Sequence, residues 1–592
     1  MQKYGEMLRT LLEKRGITDE AQAEIFLNPD YKRDLHDPFL MKDMNKACER
    51  IFQAIENKEK IVVYADYDCD GIPGAVILND LFKLLGYKNY EVYIPQRNSE
   101  GYGLNIDSIK SFTESKVKLI ITVDLGITAI AEVAQASLLG IDVIITDHHL
   151  PIVNQASSQE NFLGSSVPWG PIPQPDQLEN SLATEAFILP RAYAVLNPKV
   201  DDYPEKMLCG AGVVFKLVQG FIKKYASENR GNKKFNIKNG AEKWMLDMAG
   251  LATLSDMVPL IGENRAIAYF GMKVLKKSTR PGLQKLLAKM NIDQRNLSPD
   301  DIGFMVTPRL NAASRMDNPM RAFELLATED EVQGGMLADH LSKINDERKT
   351  IVTGIMRDVH KTLEKFKEKE KEVIVIGNPS WRVGVLGLVA SKIVDVYNKP
   401  VFVWGKDEND IIRGSCRSDG AVSVVELMTG ARESFIDFGG HELAGGFTVF
   451  NEKIHFLEEV LSKVFKMVKR EKINSVATHD IKSSLDIVNI SLWREIEKLE
   501  PFGLGNPKPI FLFEGAKIEK LKKFGKNGSG EHLEIIFSDS SENKAKAISF
   551  FSNTDSFKKT LSLGLDVNLL ATFDLSRFKG REELRLRIED IY

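Results

Sequence analysis

Cysteine is scarce. The 592 residues hold four, Cys48, Cys69, Cys209 and Cys416, far apart and without a CxxC pair. That excludes a disulfide framework and a thiolate zinc site of the usual spacing. No uninterrupted apolar run is long enough to cross a bilayer. The opening MQKYGEMLRTLLEKRG lacks the apolar stretch of a signal peptide. The expected place is the cytoplasm, with no membrane role. An excess of positive charge is missing too. The net charge of −4 excludes a uniformly basic nucleic-acid binder. A polyanionic partner would have to be drawn by a local groove or by bound metal.

What is present is the composition of a globular chain too long for one core, so three or more domains are expected. Residues 1–58 read as short helices. IVVYAD (61–66), NYEVYIP, KLIITVDLG (118–126) and IDVIITDHHLP (141–151) read as strands alternating with helical stretches such as GAVILNDLFKLLG (74–86). That alternation predicts an α/β fold with a parallel sheet over 59–328, interrupted by an insertion at 152–190 rich in Pro, Ser, Gln and Asn. Residues 329–371 predict one long connecting helix. Its apolar stripe is Leu337, Leu341, Ile344, Ile351, Ile355, Val359 and Leu363. A second α/β unit, 372–507, opens at EVIVIGNP. Five short β segments in 508–592 suggest a small barrel.

In parallel sheets ligands bind at the carboxyl ends of the strands, and three polar clusters stand there. DYDCDG carries Asp66, Asp68 and Asp70 on a Gly-ended turn. An EF-hand loop starts the same way but needs a glutamate at its twelfth position, where this chain has Ile77. A solvated acidic turn is the other reading; like charges packed against a buried strand disfavour it unless a cation compensates. Asp124 ends KLIITVD, where a lone Asp commonly caps a helix. His148 and His149 follow Asp147, and paired histidines beside an Asp are better ligand candidates than one alone. Asp256, in LATLSDMVPL, means little by itself. Together they offer mostly oxygen ligands plus imidazole, which suits Mn²⁺ or Mg²⁺. Two such ions can clamp a phosphoryl group and activate water.

The order DYDCDG, VDLGIT, TDHHLP, LATLSDMVPL resembles the DHH phosphoesterase superfamily. IPQRNSEGYGL, TPRLNAASRMDNP, WRVGVLGLVASKI, GSCRS, GGHELAGGF and EPFGLGNPKPIF are similar to motifs of the RecJ exonuclease family. The resemblance runs from about residue 10 to the C-terminus. It implies a parallel-sheet DHH catalytic domain, the connecting helix, an α/β DHHA1 domain and an OB-type barrel that grips single-stranded DNA. It implies two ions, with Asp68, Asp70, Asp124, His148 and Asp256 as ligands and Asp124 bridging. Asp66 and His149 fall in or beside that shell, with His149 placed to contact the scissile phosphate. On the substrate side it implies Arg97, Tyr102, Arg309, Arg315, Ser415, Arg417, the amides of Gly439 and Gly440, and His441. In the barrel, Phe524 and Phe578 stand among Lys and Arg as candidate base platforms. One departure is Arg382, where the family has histidine; arginine can hold phosphate but cannot serve as a base near neutral pH. Ser314 replaces a family glycine.

The implied activity is 5′→3′ hydrolysis of single-stranded DNA in recombination and repair, by a monomer, with a helicase and a single-strand-binding protein as partners. Two alternatives stay open. One is a phosphodiesterase for short oligonucleotides or cyclic dinucleotides; the other is an inactive nucleic-acid-binding scaffold.

Overall fold

Valine and isoleucine dominate the first strands because both faces of each strand are covered. β1 (Lys60–Ala65), β2 (Tyr90–Tyr93), β3 (Val117–Val123), β4 (Asp142–Thr146) and β7 (Ala194–Leu196) form one sheet in the order β2-β1-β3-β4-β7. Every pairing in it is parallel. Side chains alternate between two cores: Ile61, Val63 and Ile121 face one, and Val62, Tyr64 and Ile120 face the other. Such two-sided burial is what a parallel sheet demands. The computed structural model describes residues 1, 3–97, 100–153, 187–226, 235–238, 240–365, 371–468, 479–525, 532–576 and 582–592. Most of the expected 152–190 insertion lies outside them. At its base, β5 (Ile152–Val153) and β6 (Phe187–Ile188) pair as a short antiparallel ribbon.

The helix Glu331–Lys365 is one uninterrupted element. Its stripe is buried at Leu337, Leu341, Ile344, Ile355, Val359 and Leu363, with Ile351 half-buried. The stripe joins the first sheet's core to Ile374, Val389, Ile393 and Val401, so one apolar cluster runs from the first sheet to the second through this helix. The second sheet has the order β11-β12-β10-β9-β8. Its strands are β8 (Ile374–Gly377), β9 (Val401–Lys406), β10 (Ile412–Arg417), β11 (Phe435–His441) and β12 (Ala444–Val449).

All five expected barrel strands form: β14 (Phe511–Phe524), β15 (His532–Ser538), β16 (Lys544–Phe550), β17 (Asp566–Ser576) and β18 (Glu583–Ile591). β14 pairs with both β15 and β17, which closes the barrel, and β13 (Ile481–Lys482) adds to β14. The barrel core also takes in Leu8, Leu11, Leu12, Ala23 and Leu27 of the first two helices. The chain's first helices therefore pack beside its last domain, whereas the helix Met44–Glu56 packs on the parallel sheet. Among the described residues no helix is long and apolar enough to cross a membrane.

Candidate metal centre

After β1 the chain turns through Asp66–Asp70 into the helix Gly71–Leu84. The turn is held from inside: the Asp70 amide donates to Asp68 Oδ1 at 2.8 Å. Only glycine fits next, since a Cβ at Gly71 would lie 2.4 Å from the Asp66 carbonyl oxygen. Asp70 is fixed by another element. Its two carboxylate oxygens accept the Gly210 and Ala211 amides at 2.6 and 2.7 Å, the N-terminus of the helix Gly210–Tyr225. A helix N-terminus favours a carboxylate through its free amides and its dipole.

Asp124 follows β3 with φ of 62°, a left-handed backbone that a non-glycine residue rarely adopts. It caps no helix, because the next one starts only at Ile130, with Ala129 before it. The Asp124 amide donates to Thr146 O and its carbonyl accepts the Tyr102 hydroxyl at 3.1 Å. His148 and His149 follow β4, and Asp256 closes the helix Leu246–Ser255.

These residues converge. His148 Nε2 lies 3.2 Å from Asp124 Oδ1 and 3.8 Å from both Asp70 Oδ2 and Asp256 Oδ2. Three groups of potential ligands have their atoms within 4.8 Å of one another: Asp66, Asp68 and Asp124; Asp70, His148 and Asp256; and Asp124, His148 and His149. Asp124 and His148 each belong to two of them. Burial, and then repulsion from Asp68, pushes Asp66 well up and raises Asp70 to about 6. Burial and the Asp70 charge push Asp124 well up and raise Asp256 to about 9. His148 is driven down to about 3, first by burial, and so is a neutral imidazole. Asp66 Oδ1 and Asp124 Oδ1 are buried without a hydrogen-bond partner. Orphaned acceptors among crowded carboxylates and a neutral imidazole are what hard divalent cations satisfy, so the residues present fit Mn²⁺ or Mg²⁺.

His149 is held differently. Its Nδ1 lies 2.8 Å from Asp147 Oδ1, and Asp147 also accepts the Ile127, His148 and His149 amides. Burial opposes but the Asp147 bond prevails, so His149 is raised and keeps its proton to higher pH. Asp147 and Lys199, whose ammonium donates to the His148 carbonyl, carry roles not expected above. Asp147 was visible as the first letter of the DHH triplet; Lys199, in LNPKVDD, gave no signal.

Arginines gather on the far side. The Arg97 guanidinium lies 5.1 Å over the Tyr67 ring. Arg309 and Arg315 come from the helix Thr307–Met316, and Arg417 ends β10. None has a carboxylate within salt-bridge distance among the described residues; the bonds of the last three go to the carbonyls of Met305, Gly384 and Cys416. Burial, then repulsion from Arg97 and Arg348, lowers Arg315 to about 10. Arg348, on the long helix, was missed by the sequence reading. Its Nε is buried without a partner, like those of Arg309 and Arg315, and both amide atoms of nearby Asn345 are equally bare. Arg382 donates to Met316 O at 2.6 Å, and Ser314 is buried with its hydroxyl on Asn311 O.

On the second sheet, Ser415, Gly446 and Gly439 stand opposite one another across β10, β12 and β11. They floor a cleft of about 400 Å³ that Arg97 and Arg382 also line. Gly440 and His441 continue β11 opposite Gly445 and Ala444. His441 is lowered by burial and by the charges of His149 and Lys199, which it faces. Phe524 lies on the barrel beside His532, with ring centroids 5.2 Å apart; Phe578 lies outside the described residues.

Three family models match the chain: the DHH family N-terminal domain at 60–166, the DHHA1 domain at 370–470 and the RecJ OB domain at 479–590. The single-stranded-DNA-specific exonuclease RecJ of Bacillus subtilis (strain 168) is 32% identical over 99% of this chain and 67% of its own length. The protein of that name from Dickeya dadantii (strain 3937) is 27% identical over 99% of this chain and 96% of its own. In structure, the chain is similar to RecJ in complex with Mn²⁺ from Thermus thermophilus. The TM-score is 0.76 at 24% identity, covering 100% of this chain and 76% of that one. A crystal structure of exonuclease RecJ bound to manganese matches 75% of this chain and 99% of its own, with a TM-score of 0.59 and 26% identity.

Proposed function

The chain belongs to the RecJ family of single-stranded-DNA-specific exonucleases, and from that premise we propose that it hydrolyses single-stranded DNA stepwise from the 5′ end with two divalent cations, Mn²⁺ or Mg²⁺. The observation that carries the reading is the convergence of Asp66, Asp68, Asp70, Asp124, His148 and Asp256 at one sheet edge, facing an unpaired arginine group. Asp68, Asp70, Asp124, His148 and Asp256 would hold the ions, with Asp124 shared and Asp66 beside it. When bound, the ions supply an activated water and offset charge on the phosphoryl oxygens.

The chain's own groups do the rest. Asp147 holds the His149 ring with its proton on, which suits a donor to the scissile phosphate. Tyr102 holds the Asp124 backbone from the other side. Arg97, Arg309, Arg315 and Arg417 grip phosphates through paired N–H groups, and neutral Ser415, Gly439, Gly440 and His441 line the strand's path. The protein acts as a cytoplasmic monomer in recombination and repair, fed by a helicase and met by a single-strand-binding protein.

The test uses strands labelled at either end, with Mn²⁺. Early release of short 5′-labelled products, with 3′ label shortening gradually, is expected. Release from the 3′ end would refute the polarity, activity confined to di- or trinucleotides would favour the small-substrate reading, and binding without hydrolysis would favour the scaffold.

Arg348→Gln gives a smaller, separate result. Its guanidinium, with Nε unpartnered and Arg309 and Arg315 beside it, should contact one phosphate. Strand affinity should fall uniformly across sequences and the salt dependence should lose about one unit of slope. Filter binding over a salt series reads both; an unchanged slope would remove Arg348 from the path.

A further inference from the structure

Asp256 is the one proposed metal ligand that the parallel sheet does not place. The other four follow β1, β3 and β4, whereas Asp256 stands between the helices Leu246–Ser255 and Gly262–Leu275. Met257 follows it at φ 57° and is 70% exposed. Val258 is buried in the first sheet's core, and the loop is held further on, at Pro259 and buried Leu260, against a second loop, residues 499–507, that leads into barrel strand β14.

The contact is backbone to backbone. The Leu260 amide donates to the Leu504 carbonyl at 2.7 Å. Glycines flank that carbonyl because nothing larger fits. A Cβ on Gly503 would lie 2.7 Å from Leu260 Cδ1, and one on Gly505, where φ is +75°, would lie 3.2 Å from Pro259 Cβ. The 499–507 loop is rigid in turn. Arg265, in the first turn of the helix that follows Asp256, donates to the carbonyls of Leu499 and Glu500 at 3.0 and 2.8 Å, and to that of Phe26 at 3.0 Å. Fully buried Asn506 donates to the Leu499 and Pro501 carbonyls, both at 2.8 Å, and accepts from Arg15. Simple attachment of the barrel would account for Arg265 and Asn506. It does not account for two glycines and a backbone hydrogen bond aimed at residues 259–260, three to four positions from the carboxylate.

We infer that loop 499–507 is a positioning element for Asp256, so that the entry to the barrel sets where this carboxylate stands relative to Asp70 and His148. The inference rests on Asp256 being a metal ligand. Any movement of the barrel's entry would then be felt at the metal centre.

The test compares full-length Gly505→Ala with Gly86→Ala. Gly86 has a similar left-handed backbone, φ +69°, with open space around it and no contact with the Asp256 loop. Asp256→Ala is the reference. Mn²⁺ binding to metal-stripped protein is measured by titration calorimetry, beside Tm. Gly505→Ala should weaken Mn²⁺ binding roughly 10-fold, the size expected for losing an outer support of a ligand. Gly86→Ala should lose comparable Tm with unchanged affinity. Arg265→Lys, which keeps the charge but loses the fork, should weaken binding in the same sense and serves as the readout if Gly505→Ala does not fold. Mn²⁺ bound as tightly by Gly505→Ala, or by Arg265→Lys in its place, as by Gly86→Ala would overturn the inference while leaving the metal site intact. Wild-type affinity in Asp256→Ala would overturn the ligand assignment itself, and the inference with it.

Discussion

Asp124→Asn is expected to lower the single-turnover cleavage rate by at least about 10³-fold, the scale seen when a preorganised group at the reacting centre is removed. Asp124 belongs to two groups of potential ligands, and its Oδ1 is buried without a hydrogen bond. No neighbour can therefore substitute for it. Asparagine is the informative replacement because it tolerates the left-handed backbone at φ 62°. Alanine would add strain to the lost charge and blur the two. Folding should survive, since the amide bond to Thr146 O and the Tyr102 bond to the Asp124 carbonyl are backbone interactions. Strand binding in chelator should be kept, because asparagine has the carboxyl's size and adds no charge. Cleavage within tenfold of wild type, with Mn²⁺ saturating, would sink the assignment.

Much of this site was legible because strand ends advertise themselves. An apolar run that stops at Asp66, Asp124 or Asp147 marks the carboxyl edge of a parallel sheet, and the sheet brings residues far apart in sequence to one line. The stripe from Leu337 to Leu363 and the five barrel segments were legible for the same reason: periodicity survives whatever the partners are. The family motifs then ordered, as candidate ligands, residues that composition and spacing left as separate polar groups.

What could not be read depended on contacts between elements. Arg348 and Asn345 lie on a charged helix, where polar residues ordinarily face water; packing with the helix Thr307–Met316 is what sets Arg348 beside Arg309 and Arg315. Asp70 owes its position to Gly210 and Ala211, residues that read as an ordinary helix start. Asp124 was open to an N-cap reading because its left-handed turn has no sequence signature beyond Gly126. The first two helices join the barrel core, a pairing across nearly the whole chain that no local pattern encodes. Asp256 combines both kinds of failure. It ends a helix rather than a strand, and its support comes from residues more than two hundred positions later.

The crowding of these carboxylates also predicts how the metal-free protein responds to pH. A carboxyl whose folded pKa lies above its unfolded value, near 4, keeps its proton in the fold after the unfolded chain has released it. The unfolded state then binds fewer protons, so stability falls as pH rises. The fall begins near pH 4, runs through about 6 for Asp70 and extends to about 9 for Asp256, with Asp66 and Asp124 adding in the same sense. In chelator, apparent Tm should therefore drop between pH 5 and pH 9. Mn²⁺ should reverse the drop, because binding selects the deprotonated carboxylates and stabilises only the folded state. Its stabilising shift should grow from pH 5 to pH 9. Asp256→Asn, which has no proton for the unfolded chain to release, should melt above wild type in chelator at pH 8 and gain less from Mn²⁺. Thermal melts across that pH range with and without Mn²⁺ decide it. A metal-free Tm that stays level from pH 5 to pH 9, with an equal Mn²⁺ shift throughout, would mean that the carboxylates do not bear the mutual repulsion assigned to them. The opposing signs follow from one arrangement: the charges that destabilise the metal-free centre are those proposed to bind the cations.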